Sequence, residues 1–300
     1  MTSGFLSRSI DGGVLLSSDV SHLHFHGFAA AGSSNVITSE YGGCRLFSFT
    51  SNAQGAPLFF IRQDGRLASI VRLSGSSGAW SFSVLREGTD STPPQVFVFT
   101  QPQYMTAVGN VGMILRNASN EIVFDSRLKP FVASSATFVT PSSIAPNGGI
   151  PPNDRKFIDQ GEGQGAWPSN DWDFQASNTK IAHSIPAVAV PIVASYSTGQ
   201  ACYERKMTQY WYDDEYDGKE HHWRAHLWWC FYREAVAVSG STLYSGWIPF
   251  RAGYVYQLTK DDGWWGGTEI DAIHGSYPFY QKTTNLRSNV VIVADGSAYL

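Results

Sequence analysis

Three histidines near the amino terminus have the residue type and spacing of a metal site. His22, His24 and His26 alternate in the segment HLHFHG, so on a β-strand their rings would point to the same face. Imidazoles ligate transition metals, and three of them would suffice if several copies of the chain met on a symmetry axis. No neighbouring carboxylate is placed to orient the rings. The alternative is a polar strand edge that faces solvent.

A second group of reactive side chains is the acidic run that leads from Asp213 to His222. Paired carboxylates hydrolyse glycosidic bonds and clustered ones bind Ca²⁺. The run lacks the spacing of an EF-hand loop, and a solvated hairpin loop is the alternative. In a glycan hydrolase, the candidate catalytic acids would be Asp213, Asp214, Asp217 and Glu269.

Tryptophans in loops and in one long strand are the candidates for contact with a ligand or partner. The loop DDGWWGGTE (261–269) holds two of them between glycines, and exposed rings on a β scaffold stack on sugars or dock proteins. A loop that plugs the end of a β-sandwich is an equal alternative. The contact candidates are Trp264, Trp265, Trp228, Trp167 and Trp172.

Composition and charge narrow the classes of function. Of the 300 residues, 15% are charged and 14% aromatic, and the net charge is −4. Low charge and many rings favour a β protein with contact surfaces. Since no basic cluster is present, we expect no nucleic-acid partner. We also expect no signal peptide and no membrane insertion, because no apolar stretch approaches ~18 residues. Because catalytic motifs are absent, we expect a protein that is not an enzyme and that has no cofactor.

Short apolar runs separated by turn residues predict strands from end to end. Leu58 to Ile61 and Leu67 to Val71 flank Asp64-Gly65, which predicts a hairpin. Tyr203 to Tyr212 is predicted to pair with the long apolar strand Trp223 to Val238. No window carries a convincing 3.6-residue stripe, so helix should be scarce.

An internal repeat is the most informative pattern. Gly4 to Ser18 (GFLSRSIDGGVLLSS) can be laid without gaps on Gly112 to Ser126 (GMILRNASNEIVFDS). Both copies contain an apolar pair, Arg, a polar turn, three apolar residues and Ser. Each copy predicts a small hairpin, and a chance similarity between two hairpins is the alternative. The offset places a boundary near Val108.

The sequence therefore predicts an all-β protein of two β-sandwich-like modules with short antiparallel strands, long irregular loops and very little helix. The predicted divisions are an N-terminal β module (1–108), a repeat hairpin that opens the second module (109–140), a Pro/Gly-rich linker or long loop (141–178), and a C-terminal aromatic-rich β-sandwich (179–300).

The second copy of the repeat carries a resemblance to a known family. GMILRNASNEIVFDSRLKPF (112–131) resembles a hairpin element of minor tail proteins of long-tailed, siphovirus-type bacteriophages. In those proteins an apolar strand, Asn, a small turn and a second apolar strand ending in Phe-Asp-Ser follow one another. GFLSRSIDGGVLLSSDV (4–20) looks like a diverged version, and NVVIVADGSAYL (289–300) is similar to their closing strand.

The resemblance implies a non-enzymatic structural part of a phage tail tip or baseplate. Such a protein is made in the host bacterial cytoplasm, resides in the virion tail, and contacts other phage tail proteins and copies of itself, as a trimer or hexamer. A host-attachment module that binds a surface glycan, a pilus or an outer-membrane receptor is the first alternative. A glycan hydrolase is the second.

Overall fold

The computed structural model describes residues 6–8, 14–17, 21–38, 44–139, 180–196, 200–213, 220–260, 280–284 and 289–300. Within these ranges, side chains are described for 21–37, 44–139, 180–196, 233–248 and 290–300. The predicted linker or long loop, residues 141–178, lies outside the described residues.

The regular secondary structure of the described residues consists of strands and two 3₁₀ turns, Pro102–Tyr104 and Gly296–Tyr299. In chain order the strands are β1 (Leu6–Arg8), β2 (Val14–Ser17), β3 (His24–Phe28), β4 (Ala30–Thr38), β5 (Cys44–Ser51), β6 (Leu58–Arg62), β7 (Ala68–Ser76), β8 (Ala79–Glu87), β9 (Val96–Thr100), β10 (Ile114–Arg116), β11 (Ile122–Asp125), β12 (Ala133–Val139), β13 (Ile181–Ser184), β14 (Pro191–Ala194), β15 (Gln200–Asp213), β16 (Glu220–Ser239), β17 (Thr242–Lys260), β18 (Tyr280–Thr284) and β19 (Asn289–Asp295).

Two large antiparallel sheets organise these strands. The first sheet has the order β12-β19-β14-β6-β9-β3. The second has the order β13-β17-β16-β7-β8-β5-β4, with β15 paired to β16 and β18 paired to β15. The pairs β1–β2 and β10–β11 form separate hairpins. The predicted all-β, antiparallel class is confirmed. Among the described residues, no helix has the length and apolar character needed to cross a membrane.

The two sheets pack face to face, and the buried core between them divides by sequence. The buried members of one cluster all come from residues 47–98: Phe47, Phe49, Ala53, Phe59, Ile61, Ala68, Ile70, Phe82, Val84, Val96 and Val98. The other lies beyond residue 138: Val139, Ile185, Val193, Val236, Val238, Leu243, Val291 and Val293. Burial of each phenylalanine contributes about 1.5–3 kcal/mol. Two further buried clusters combine residues from both parts of the chain, Phe60 with Ile192 in one and Leu67 with Ala237 in the other. Each sheet also runs through both parts.

The strand order shows an internal duplication. In the first sheet, β3-β9-β6 meets β14-β19-β12, and in the second, β5-β8-β7 meets β16-β17-β13. We call the unit from β3 to the first 3₁₀ turn the first half, and the unit from β12 to the second 3₁₀ turn the second half. In both halves an edge strand comes first and a closing strand with a 3₁₀ turn comes last. In each sheet the equivalent strands run outward in the same order from the junction, which is β6–β14 in the first sheet and β7–β16 in the second.

The pairing registers support this duplication residue by residue. Leu6 pairs with Ser17 in the N-terminal hairpin, and Ile114 pairs with Asp125 in the second one. Both pairs differ by 108 positions (6 to 114, 17 to 125), which is the offset of the sequence repeat. Each hairpin also shifts register between the equivalent residues of its first strand, so the repeated hairpin predicted from the sequence is present in both copies.

The same offset continues into the sandwich. One extra residue bulges out of each edge strand, His26 in β3 and Ser134 in β12, again 108 positions apart. Phe25 pairs with Phe99, and its equivalent in the second half, Ala133, pairs with Ala294. The closing strands β9 and β19 are therefore offset by 195 positions (99 to 294). That second offset aligns Tyr104 with Tyr299, the last residues of the two 3₁₀ turns.

The halves join edge to edge through few backbone pairs. In the first sheet, β6 and β14 pair at only two positions, and in the second sheet β7 and β16 pair at one. Tyr196, just after β14, reinforces this junction, because its hydroxyl accepts a hydrogen bond from the Phe59 N–H at 2.8 Å. Burial raises the pKa of Tyr196 to about 12.

The hairpin predicted at Asp64-Gly65 is wrong, because β6 belongs to the first sheet and β7 to the second. The turn is a crossover between sheets. Gly65 has φ 85° and the Asp64 carboxylate accepts the Arg66 N–H at 3.2 Å. A hairpin turn uses the same local interactions, so the residues of the turn do not distinguish the two connections.

Ion pairs hold this crossover against the next one, which leads from β8 to β9. The Asp64 carboxylate lies 3.7 Å from the nearly buried guanidinium of Arg86, which also lies 3.6 Å from Asp90. Arg86 donates a 2.7 Å hydrogen bond to the Thr92 carbonyl. Because Arg86 bridges both connections, this cluster is explained by the fold alone.

A long ribbon extends the second half. Tyr203 pairs with Cys230 and Tyr212 with His221, so the predicted pairing with the long apolar strand is confirmed as β15–β16. β17 pairs with β16 along nearly its whole length, with one register shift. At ~3.3 Å per residue, the 20 residues of β16 span roughly 65 Å.

Candidate functional site

The contact between the hairpin β10–β11 and the first half is the candidate site, because there a repeated element meets the body of the fold. We call β10–β11 the docked hairpin. The first 3₁₀ turn also contacts β11. Three backbone hydrogen bonds of 2.8 Å attach the hairpin and the segment after it: His22 N–H to the Val123 carbonyl, Phe25 N–H to the Lys129 carbonyl, and Phe131 N–H to the Leu23 carbonyl.

Two of the three histidines, His22 and His24, belong to this contact, and His26 does not. His22 and His24 lie beside the Phe124 ring, at centroid distances of 5.7 and 5.4 Å. His26 is the bulged residue of β3, and its Nε2 lies 3.1 Å from the Asn52 side-chain oxygen. The expected alternation is therefore wrong, because the bulge interrupts it. In the described part of the chain, no three His, Cys, Asp or Glu residues could hold a metal ion together.

His24 is the most constrained of the three. Its side chain is fully buried, Nδ1 lies 3.1 Å from the His22 carbonyl, and the Asp125 N–H donates a long 3.5 Å hydrogen bond to Nε2. This arrangement suits the neutral ring with its proton on Nδ1. Burial lowers the pKa of His24, against the opposing effects of the His22 hydrogen bond and the Asp125 carboxylate.

Each residue of the Phe-Asp-Ser end of the docked hairpin has a separate structural role. Phe124 packs on the histidines. The buried Asp125 carboxylate accepts Nε of Arg127 at 2.8 Å and its N–H at 3.0 Å, and hydrogen bonding from Arg127 lowers the pKa of Asp125. The Ser126 hydroxyl accepts the Met113 N–H at 2.7 Å, which closes the open end of the hairpin.

The turn of the docked hairpin is held by one asparagine. The Asn117 side-chain oxygen accepts the N–H groups of Ser119 and Glu121 at 3.0 and 2.9 Å. Asn120 takes the left-handed conformation, with φ 62°, which asparagine tolerates well. These local bonds shape the hairpin independently of the module on which it docks.

Two of the remaining sequence candidates, Trp228 and Asp213, lie in described strands of the second half. Trp228 lies in the middle of β16, where its register partners are Arg205 of β15 and Tyr254 of β17. Asp213 ends β15 and pairs with Glu220. Outside the described residues lie Trp167, Trp172, Trp264, Trp265, Asp214, Asp217 and Glu269.

The sequence includes Asp125 in the Phe-Asp-Ser end of the repeat, but it predicts no role for Asp125, Arg127 or Tyr196. The Asp125–Arg127 spacing is visible in the sequence, but its importance comes from the burial of Asp125, which depends on β3. Tyr196 is 137 positions from Phe59, so no local pattern connects the two residues.

Comparison of the chain with protein-family models, with curated proteins and with solved structures found no match in any of the three.

Proposed function

We propose that this chain is a non-enzymatic structural component of a bacteriophage tail tip or baseplate. It assembles with copies of itself and with other tail proteins around the tail axis. It is made in the cytoplasm of the bacterial host and becomes part of the virion.

The docked hairpin is the observation that carries this proposal. The segment that resembles the phage tail element, residues 112–131, forms a compact hairpin with its own turn and its own ion pair, attached to a module that precedes it in the chain. In the fold it attaches itself and the segment that follows it to the first half. A second copy of the same hairpin opens the chain, so the element is available to join units again.

The mass of the purified full-length protein in solution tests the assembly role. Light scattering should give a stable trimer or hexamer, and a monomer at all concentrations would contradict it. For the tail itself, immunogold labelling of particles of a phage that encodes this chain should mark the tail tip. Label on the capsid, or particles without label, would contradict the location.

A host-receptor role is the second candidate, and the ribbon of the second half favours it. Its registers set Arg205, Trp228 and Tyr254 side by side on three neighbouring strands. A guanidinium and aromatic rings are the groups that recognise acidic sugars, by charge-assisted hydrogen bonds and by stacking.

A glycan array with the full chain tests this second role. Trp228→Ala should abolish binding to an acidic bacterial glycan, while Trp229→Ala, one position along the same strand, should keep it. No binding by the wild-type chain, or equal loss in both variants, would contradict the receptor role.

A further inference from the structure

We infer that the N-terminal hairpin, β1–β2, of one copy docks on the second half of another copy, as β10–β11 docks on the first half within the chain. This inference deepens the proposed assembly role and rests on it only for the existence of an oligomer. It names the surface through which copies meet.

The receiving surface exists twice, and one of its two copies is exposed. In the first half, His24 is fully buried beside Phe124, next to the first 3₁₀ turn. The offset of 108 positions places Val132 at the position of His24, and Val132 is 67% exposed. Leu300, which follows the second 3₁₀ turn, is 58% exposed. The second half therefore presents an apolar counterpart of the surface that the docked hairpin covers in the first half.

The element that fits this surface is also present twice. The N-terminal hairpin has the register of the docked hairpin, including the shift in its first strand. Leu16 occupies the position of Phe124, 108 positions earlier. Where the docked hairpin brings a phenylalanine onto imidazoles, the N-terminal hairpin would bring a leucine onto a valine. An apolar residue thus meets an apolar residue, and burial of both from water favours the contact.

The two contacts differ in their polar parts. Pro130 stands at the position of His22 and has no N–H, so the bond from His22 to the Val123 carbonyl is not repeated. Ser17 and Asp19 stand at the positions of Asp125 and Arg127, so the ion pair is not repeated either. The second contact is therefore more apolar than the first, as suits a surface formed on assembly.

We assign the hairpin that covers the surface at Val132 to a second copy of the chain, because the N-terminal hairpin of the same chain leaves Val132 exposed. β1 and β2 are paired with each other, and Val132 is nevertheless 67% exposed. A hairpin passed from each copy to the next makes a head-to-tail contact, which closes into a ring when the rotation per copy is a whole fraction of a turn. A closed ring of three or six copies would be the trimer or hexamer proposed above.

Photo-crosslinking with isotope-labelled chains tests the exchange. Full-length chain carrying p-benzoylphenylalanine at position 132 is refolded with a tenfold excess of ¹⁵N-labelled wild-type chain and irradiated, and crosslinked peptides are read by mass spectrometry. The expected product joins the unlabelled position 132 to a labelled peptide containing Leu16. The matched control carries the crosslinker at position 111, where Val111 is 93% exposed, and should give no such product.

Three results would overturn the inference, and they separate it from the proposed function. Crosslinks only to the unlabelled hairpin of the same chain would show docking without exchange. An oligomer that forms without this crosslink, or with equal crosslinking from position 111, would leave the assembly role standing and remove the inferred contact. A monomer without crosslinks would remove both.

Discussion

The two halves of the molecule share one strand plan, apart from the edge strand β4 of the first half, and two of their differences bear on function. The pair β7–β8 has strands of nine residues, while its counterpart β16–β17 has strands of 20 and 19 residues flanked by β15. The receiving surface at His24 is covered, while its counterpart at Val132 is exposed. The six strands that surround the junction of each half are common to both halves. The two differences mark the parts of the second half that are available to partners.

Truncation of equivalent core residues is expected to have the largest effect. Phe59 pairs with Val98 in the first half, and Val193 pairs with the equivalent residue, Val293, in the second half. Phe59 and Val193 are both fully buried. Phe59→Ala should lower the free energy of unfolding by about 3–5 kcal/mol, and Val193→Ala by about 1.6 kcal/mol for two CH₂ groups. Urea unfolding should show one transition in both variants, because the sheets are shared. Two separate transitions would contradict the shared sheets.

Loss of the ion pair in the docked hairpin should have the next largest effect. Asp125→Ala removes the carboxylate that accepts from Arg127 and should cost about 2 kcal/mol of unfolding free energy, as expected for hydrogen bonds to charged groups. Ser17→Ala is the matched control at the equivalent position and should change stability by less than about 0.5 kcal/mol. Equal losses in the two variants would contradict the difference between the two hairpins.

The pH dependence of stability should report on the buried His24. Because its pKa is lowered in the folded protein, the unfolded chain takes up a proton near pH 6.5 while the folded chain does not. The free energy of unfolding should therefore fall as the pH drops from 6.5 to 5.5, by up to about 1 kcal/mol. His24→Asn, compared by urea unfolding at both values, should remove most of this slope. The lowered pKa of Asp125 makes the free energy of unfolding fall in a separate pH range, below about pH 4.

The junction between the halves should show the smallest effect. Tyr196→Phe deletes the acceptor of the Phe59 N–H and should lower stability by about 1 kcal/mol. Tyr104→Phe, at a residue that is 43% exposed, is the control and should be neutral. A Tyr196→Phe variant as stable as the wild type would show that this bond contributes nothing to joining the halves.

The sequence predicted what depends on local patterns. The two hairpins follow from an apolar pair, Arg and a polar turn, and the β15–β16 pairing follows from two apolar strands that are close in the sequence. The prediction of a hairpin at Asp64-Gly65 was wrong, because the same turn residues occur in hairpins and in crossovers between sheets. The alternation expected at His26 was also wrong, because a bulge depends on pairing with β9, and no single-strand pattern shows that pairing.

The duplication beyond the hairpin could not be read from the sequence. The halves have different loop lengths, and the strands match in register while few of their residues are identical. The register depends on which strands become neighbours, and the packing of the buried side chains determines which strands are neighbours. The candidate site depends on the same choice, since His24 and Asp125 are 101 positions apart.

The solution mass of three full-length chains tests the central claim, that the repeated hairpin joins units, most directly. Light scattering should give an oligomer for the wild type and for Val111→Asp, and a folded monomer for Val132→Asp, since a charge on the receiving surface opposes an apolar contact. A Val132→Asp chain that keeps the mass of the wild-type oligomer would contradict the account.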